Sequence, residues 1–323
     1  MHKVNLVFFF AIILSAIFII GCDKSTIVDP KSTDDDYLKQ QSLDAEELAG
    51  FTSSEDISID DGAEKDMSYD DFGMMKTTYP ITPLKWGRKV EKVIKTQIVN
   101  RINDSISVVT IIKDIEGKFI IKAVKDSGDV VDTIKVVKPF TSKIIRKVRF
   151  LRVNNDRDVR KNWRPVAITL VEGKTSVKDF SIGTLEVMSS VDTATITDPL
   201  TYWARLAPGR GGVATLRPGD SILVRLTVAS TNAKQEFALL RHGIENGMSR
   251  HRARFRMELV SETGSDGNYT RVYEKKIVAR LPLGLALGHY CAIVDVISHD
   301  SIKDDVAPFM NAFWGMPYLV KRF

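Results

Sequence analysis

From about residue 81 onward, apolar and polar positions alternate with period two over short runs broken by turn residues. Ile106, Val108, Thr110 and Ile112 fall on one side of such a run. Phe119, Ile121 and Ala123 fall on one side of the next, after Glu116-Gly117, which reads as a hairpin turn. Val130 to Val137 follows the turn Ser127-Gly128-Asp129, and Lys143 to Val153 and Val166 to Val171 continue the meander. In the second half, Leu185 to Ser189 opens a similar series. Pro218-Gly219-Asp220 turns into Ser221 to Ala229, where Ile222, Val224, Leu226 and Val228 share a face, and Gln235 to Leu240 follows. Ala253, Phe255, Met257 and Leu259 then alternate with Arg252, Arg254, Arg256 and Glu258, the apolar-in, charged-out pattern of a half-buried strand. Gly264 to Asn268 turns this run into Tyr269 to Arg280, and Ala292, Val294 and Val296 share a face of the next. No strong helical stripe interrupts the series. The pattern predicts an all-β body of two β-sandwich or barrel-like domains, residues 81–180 and 181–323.

The N-terminal quarter is different. Met1-His2-Lys3 is a short basic start, Leu6 to Ile20 is almost wholly apolar, and Ile19-Ile20-Gly21-Cys22 follows. A basic start, an apolar run and a small residue before a cleavage point form a secretory signal, and the run is short for a membrane span. Its last four residues resemble the bacterial lipobox. That resemblance implies removal of residues 1–21, acylation of Cys22, and a lipid-anchored protein of the inner or outer membrane facing the periplasm or the cell surface. More than one acyl chain anchors such a protein stably.

Charge is divided as sharply as hydropathy. The whole chain is formally +5. Residues 23–80 hold 16 acidic side chains against 5 Lys and no Arg, while residues 81–323 hold 40 Lys and Arg against 25 acids. Asp34-Asp35-Asp36, Asp60-Asp61 and Asp70-Asp71 alternate with Ser, Thr and Gly, so residues 22–80 read as a disordered acidic tether with one short helix near Leu38 to Leu48. With Cys22 acylated, Cys291 has no partner for a disulfide. Its apolar neighbours make it a buried, inert thiol.

Leu287-Gly288-His289-Tyr290 resembles the tyrosine corner of immunoglobulin-like sandwiches, in which a Tyr at the start of a late strand bonds back to the chain upstream. The resemblance implies an immunoglobulin-like C-terminal domain with Tyr290 in a structural role. Antibody domains carry a Cys two places after that Tyr, and here Ala292 stands instead, so their inter-sheet disulfide is absent.

Catalytic signatures are weak. Ser298-His299-Asp300 is contiguous, whereas a catalytic triad assembles its members from separate chain positions. His242, His251, His289 and His299 lack metal-ligand spacing, and Pro208 to Gly212 is glycine-rich without the Lys-Ser/Thr of a phosphate loop. No metal and no cofactor are implied. An enzyme acting on polysaccharide would need two carboxylates facing a cleft, with Asp295, Asp300, Asp304 and Asp305 as the available acids. The basic patches are the best lead: Arg146, Lys147 and Arg149 in one, and Arg252, Arg254 and Arg256 in the other. A strand would project the second set from one face about 7 Å apart, a row able to meet phosphate, sulfate or carboxylate. The expected function is therefore a non-enzymatic binding or scaffold lipoprotein of the cell envelope. Its partners are the membrane, through lipid, and an anionic envelope polymer or a protein. Nucleic acid is not among them, because no recognition module is present. A structural subunit of an envelope complex is the other non-enzymatic expectation.

Overall fold

The computed structural model describes residues 34–48, 80–126, 131–176, 179–190, 193–206, 214–244, 253–279 and 287–322. Within them the protein is all-β, with strands far outnumbering its two α-helices. Helix α1 (Asp34–Leu48) precedes three long strands, β1 (Thr82–Asn103), β2 (Ile106–Asp126) and β3 (Val131–Arg152). Shorter strands follow: β4 (Trp163–Thr169), β5 (Val171–Lys174), β6 (Phe180–Ser189), β7 (Thr193–Ile196), β8 (Trp203–Arg205) and β9 (Ala214–Leu216). The C-terminal series is β10 (Ser221–Ser230), β11 (Phe237–Ile244), β12 (Ala253–Arg256), β13 (Glu258–Ser265), β14 (Asn268–Val278), β15 (Leu287–Ile297), α2 (His299–Lys303) and β16 (Asn311–Lys321).

These strands form two sheets. The larger runs β1-β2-β3-β5-β16-β15-β11-β12, with β4, β8 and β9 attached at its side, and the smaller runs β13-β14-β10-β6-β7. Nearly all pairings are antiparallel, β9 with β16 being parallel, and neither sheet closes into a barrel. The expected boundary near residue 180 does not separate the sheets, because β5 pairs with both β3 and β16 and carries the larger sheet across it.

Strands β11, β15 and β16 are buried on both faces. Ala238, Leu240, Val294, Val296, Trp314 and Val320 point toward the smaller sheet and pack with Leu185, Val224 and Leu226. Their alternating neighbours Phe237, Leu239, Ile293, Ile297 and Phe313 point the other way. There they meet Trp86, Phe119, Ile121 and Ile144 of the meander. The larger sheet thus curls over itself without closing, and its two halves share one core. Phe309 anchors that core, stacked on Phe119 with ring centroids 4.3 Å apart.

Turn chemistry explains the corners. Asn103 accepts hydrogen bonds from the amides of Ser105 (2.9 Å) and Ile106 (2.8 Å), an Asx turn that reverses β1 into β2. Asp266 (φ 53°) and Gly267 (φ 82°) supply the two left-handed positions of the two-residue hairpin between β13 and β14.

Two local expectations also change. Glu116-Gly117 is no turn, since Gly117 lies inside β2, opposite Val90 and Phe140. A Cβ there would meet the Lys89 carbonyl at 2.5 Å and the Phe140 ring at 2.8 Å, so glycine is needed for close approach rather than for a bend. The alternating run from Ala253 to Leu259 is also not one strand. It changes sheets at the buried Met257, with β12 paired to β11 and β13 paired to β14. The Ser127-Gly128-Asp129 turn, Pro208 to Gly212 and the side chains of Tyr290 and Cys291 lie outside the described residues, as do residues 1–33 and 49–79.

Gly173 of β5 faces Phe313 of β16 at the seam between the two halves, and a Cβ on it would fall 2.0 Å from the Phe313 ring. Gly173→Ala is expected to lower unfolding stability by about 1–3 kcal/mol, as overpacking does. Chemical denaturation measures it, and an unchanged midpoint would show that the seam is not tightly packed.

Candidate anion-binding face and the buried charge clusters

The first basic patch is divided by the strand it sits on. Successive side chains of β3 point to opposite faces. Arg146 is buried with Ile144 and Val148, while Lys147 and Arg149 occupy the far, partly exposed face. Arg146 does meet an anion, but that anion belongs to the chain itself. Glu46 of α1 lies 3.3 Å from Arg146 Nη1 and 2.9 Å from Lys113 Nζ. All three groups are almost wholly buried.

Glu46 closes a longer seam. Helix α1 runs back along β1, with Asp35 on Arg101 at 2.5 Å near its start. Gln97 donates to the Lys39 carbonyl at 2.6 Å and to Ser42 Oγ at 2.8 Å midway. Asp34 Oδ2 accepts from the Trp163 indole at 3.1 Å, and Tyr37 Oη donates to the Arg160 carbonyl at 3.2 Å. Leu38 and Ala45 are buried against the meander core. Residues 34–48 of the acidic segment are therefore part of the folded body, seated on its basic sheet. The short helix expected near Leu38 to Leu48 is present and begins at Asp34, but it is docked on the body rather than carried in a disordered tether. Both charge and burial hold the helix, because Lys113 and Arg146 could not stay buried without a carboxylate.

The second patch is only partly in view. Arg252 lies outside the described residues, as does the side chain of Arg254. Arg256 places its guanidinium over the Phe237 ring, 5.2 Å from the centroid, and is half buried rather than projecting into solvent. Arg149 on the far face does the same with Trp203, at 4.1 Å.

Three further charge clusters are built into the interior. Asp295 of β15 is fully buried, lies 2.5 Å from Arg88 Nη2 of β1, pairs with Arg241 of β11, and accepts from Asn311 Nδ2 of β16 at 2.9 Å. Glu236 and Arg271 form a second cluster. Arg271 Nη1 donates to both carboxylate oxygens (2.8 and 3.0 Å), and its other nitrogens reach Glu262 and the carbonyls of Asn232 and Ala233. Tyr273 donates to the same carboxylate at 3.1 Å, and burial followed by the Glu236 charge pushes its phenol far above the usual range. This network pins the β10–β11 connection to the smaller sheet. In the third, Lys138 is buried and donates to the carbonyls of Ser301 (2.8 Å) and Asp304 (2.6 Å), capping α2. Burial holds its ammonium below the usual lysine range.

The contiguous Ser298-His299-Asp300 adopts no relay. His299 stacks on Phe237 with centroids 5.9 Å apart and contacts Asp300 at 3.1 Å, and burial holds its imidazole below the usual range. The other acids named from sequence are engaged locally. Asp300 pairs with Lys234 at 2.8 Å, Asp305 with Lys125 at 2.6 Å, and Asp304 accepts the amides of Val306 and Ala307. Among the described residues, no three His, Cys, Asp or Glu side chains are grouped to hold a metal ion. Cys22 lies outside the described residues.

Sequence reasoning missed the buried ionic residues, although a signal was present. Lys113 stands between Ile111 and Ile115, Arg146 between Ile144 and Val148, and Asp295 between Ile293 and Ile297. Each is a charge in the apolar phase of its strand, a position tolerated only with an internal partner.

Removing the shared carboxylate should open the helix before anything else. Glu46→Ala is expected to expose α1 to hydrogen exchange and proteolysis while β2 and β3 stay protected, with a loss of about 3–5 kcal/mol for breaking a buried pair. Protection of α1 equal to the parent would contradict the clamp.

No family model, curated protein or solved structure matches this chain, and its function is read from its own residues.

Proposed function

We propose that the protein is a lipid-anchored lipoprotein of the bacterial cell envelope, acylated on Cys22, whose β body serves as a non-enzymatic binding or scaffold module. The observation that carries the anchor is the signal-like N-terminus ending in Ile19-Ile20-Gly21-Cys22. None of the described helices is long and apolar enough to cross a membrane.

What supports binding or scaffolding is the use to which the charged groups are put. Asp295, Glu236 and Glu46 are each enclosed by Arg or Lys at hydrogen-bonding or ion-pair distance. These carboxylates fasten strands and a helix, which suits a rigid module. The partly exposed cations of the outer sheet face, Lys147 and Arg149 among them, are the contacts available to an anionic envelope polymer or a protein partner, with no cofactor in the reading.

Labelling cells with a fatty-acid analogue tests the anchor. The wild-type chain is expected to take up label and sediment with membranes, whereas Cys22→Ala should lose the label and keep its uncleaved leader. Equal labelling of the two would overturn the lipoprotein reading.

A further inference from the structure

The seat of α1 changes where the membrane anchor attaches to the body. Sixty residues separate Cys22 from the first strand at Thr82, a contour of up to about 200 Å. With α1 docked, the chain rejoins the body at Asp34, only twelve residues after Cys22, which reaches at most about 40 Å. Asp34 sits at the distal end of the meander, against Arg101 and Trp163. The meander itself is about 70 Å long, from 22-residue strands at about 3.3 Å per residue. The lipid therefore holds the distal half of these strands close to the bilayer.

The distal half carries an uncovered apolar face. Its front is covered by α1. On its back, Ile94 and Ile98 of β1 and Ile102 at the strand's end are 46–56% exposed. Leu151 of β3 is exposed on the same side as the partly exposed Lys147 and Arg149, while Lys143 further along the strand is paired with Asp114 at 3.4 Å. Arg149 sits over the Trp203 ring, 4.1 Å from its centroid, an arrangement that keeps an apolar body and a cationic head on one surface. An apolar centre with cations beside it suits phospholipid, whose headgroup phosphates meet Lys and Arg while the acyl boundary meets Ile and Leu. A second copy stacked on this face would bring like cations together.

Resting on the lipoprotein reading above, we infer that the back of the distal β1–β3 meander lies against the phospholipid surface to which Cys22 is anchored, and that α1 is the clamp that shortens the leash and orients the body. Contact with lipid is then intramolecular in effect, and its strength follows leash length as an effective concentration.

The test uses the full acylated chain in vesicles of phosphatidylethanolamine and phosphatidylglycerol. An environment-sensitive probe is attached at Ile98→Cys or at Val260→Cys. Val260 is equally exposed, on the smaller sheet (51% against 52%). The parent chain sets the background from Cys291. Bromine-labelled lipids are expected to quench the probe at position 98 strongly and the probe at position 260 weakly. Inserting about 24 Gly and Ser residues between Cys22 and Asp34 triples the leash and should reduce the bound fraction's equilibrium about fivefold. Glu46→Gln, which weakens the clamp while keeping side-chain shape, should reduce quenching in the same direction. Acylation is confirmed by mass on the same preparations, so unquenched probe on acylated protein contradicts the face while leaving the anchor standing. Equal quenching at the two positions, or quenching indifferent to leash length, overturns the inference. So does shielding of position 98 that persists without lipid and grows with protein concentration, because a second copy would then cover the face.

Discussion

The rest of the fold depends on a carboxylate with no access to water. Asp295 sits on β15 between β16 and β11, three strands buried on both faces, and it draws Arg88, Arg241 and Asn311 to one point. Arg88 belongs to the first strand of the chain, whereas Arg241, Asp295 and Asn311 belong to three adjacent strands of the C-terminal half. A buried charge in a medium of low polarizability must be matched locally, and here the match is made by strands far apart in sequence. The curl of the larger sheet places β1 over β15 and so satisfies it. Phe309 lies beside the Arg88 guanidinium, 5.6 Å from its ring centroid, and joins the ionic point to the aromatic core.

The same constraint recurs at the two other enclosed carboxylates. Glu46 is matched by Lys113 and Arg146, and this seats a helix from the acidic segment on the basic sheet. Glu236 is matched by Arg271, and this holds the loop before β11 on the smaller sheet. In each case an ion pair joins elements that hydrophobic burial alone would hold with less definite register. Exposed pairs such as Lys118 with Glu91 or Lys92 with Glu116 have no such role, because water screens them and they are worth about 0–1 kcal/mol.

Strands were the legible part of the chain. Period-two alternation marks β2, β10, β15 and the β13–β14 hairpin, and turn chemistry marks Pro218-Gly219-Asp220 and Asp266-Gly267. What pattern could not convey is which sheet a strand joins. The run through Met257 reads as one strand because alternation continues across the point where the chain leaves one sheet for the other. Gly117 reads as a turn because composition does not separate a glycine that bends the chain from one that lets a ring approach. Sequence distance hid the sharing of one core by β1–β3 and β11–β16, and with it the fact that a boundary at residue 180 is bridged by β5. For the candidate site, charge count located the basic patches but not their sidedness. Arg146 and Lys147 are neighbours in sequence and lie on opposite faces of a sheet, one facing Glu46 and the other facing outward.

Pairing at Asp295 holds the two halves of the larger sheet together. Equilibrium unfolding of Asp295→Asn measures it most directly, with Glu91→Gln on the exposed Lys118 pair as the control for removing a charge. A loss of about 3–5 kcal/mol is expected for Asp295→Asn, against about 0–1 kcal/mol for the control. Hydrogen exchange in the same variant should quicken in β1 and β15 together. Equal, small losses in the two variants, with β1 and β15 still protected, would contradict it.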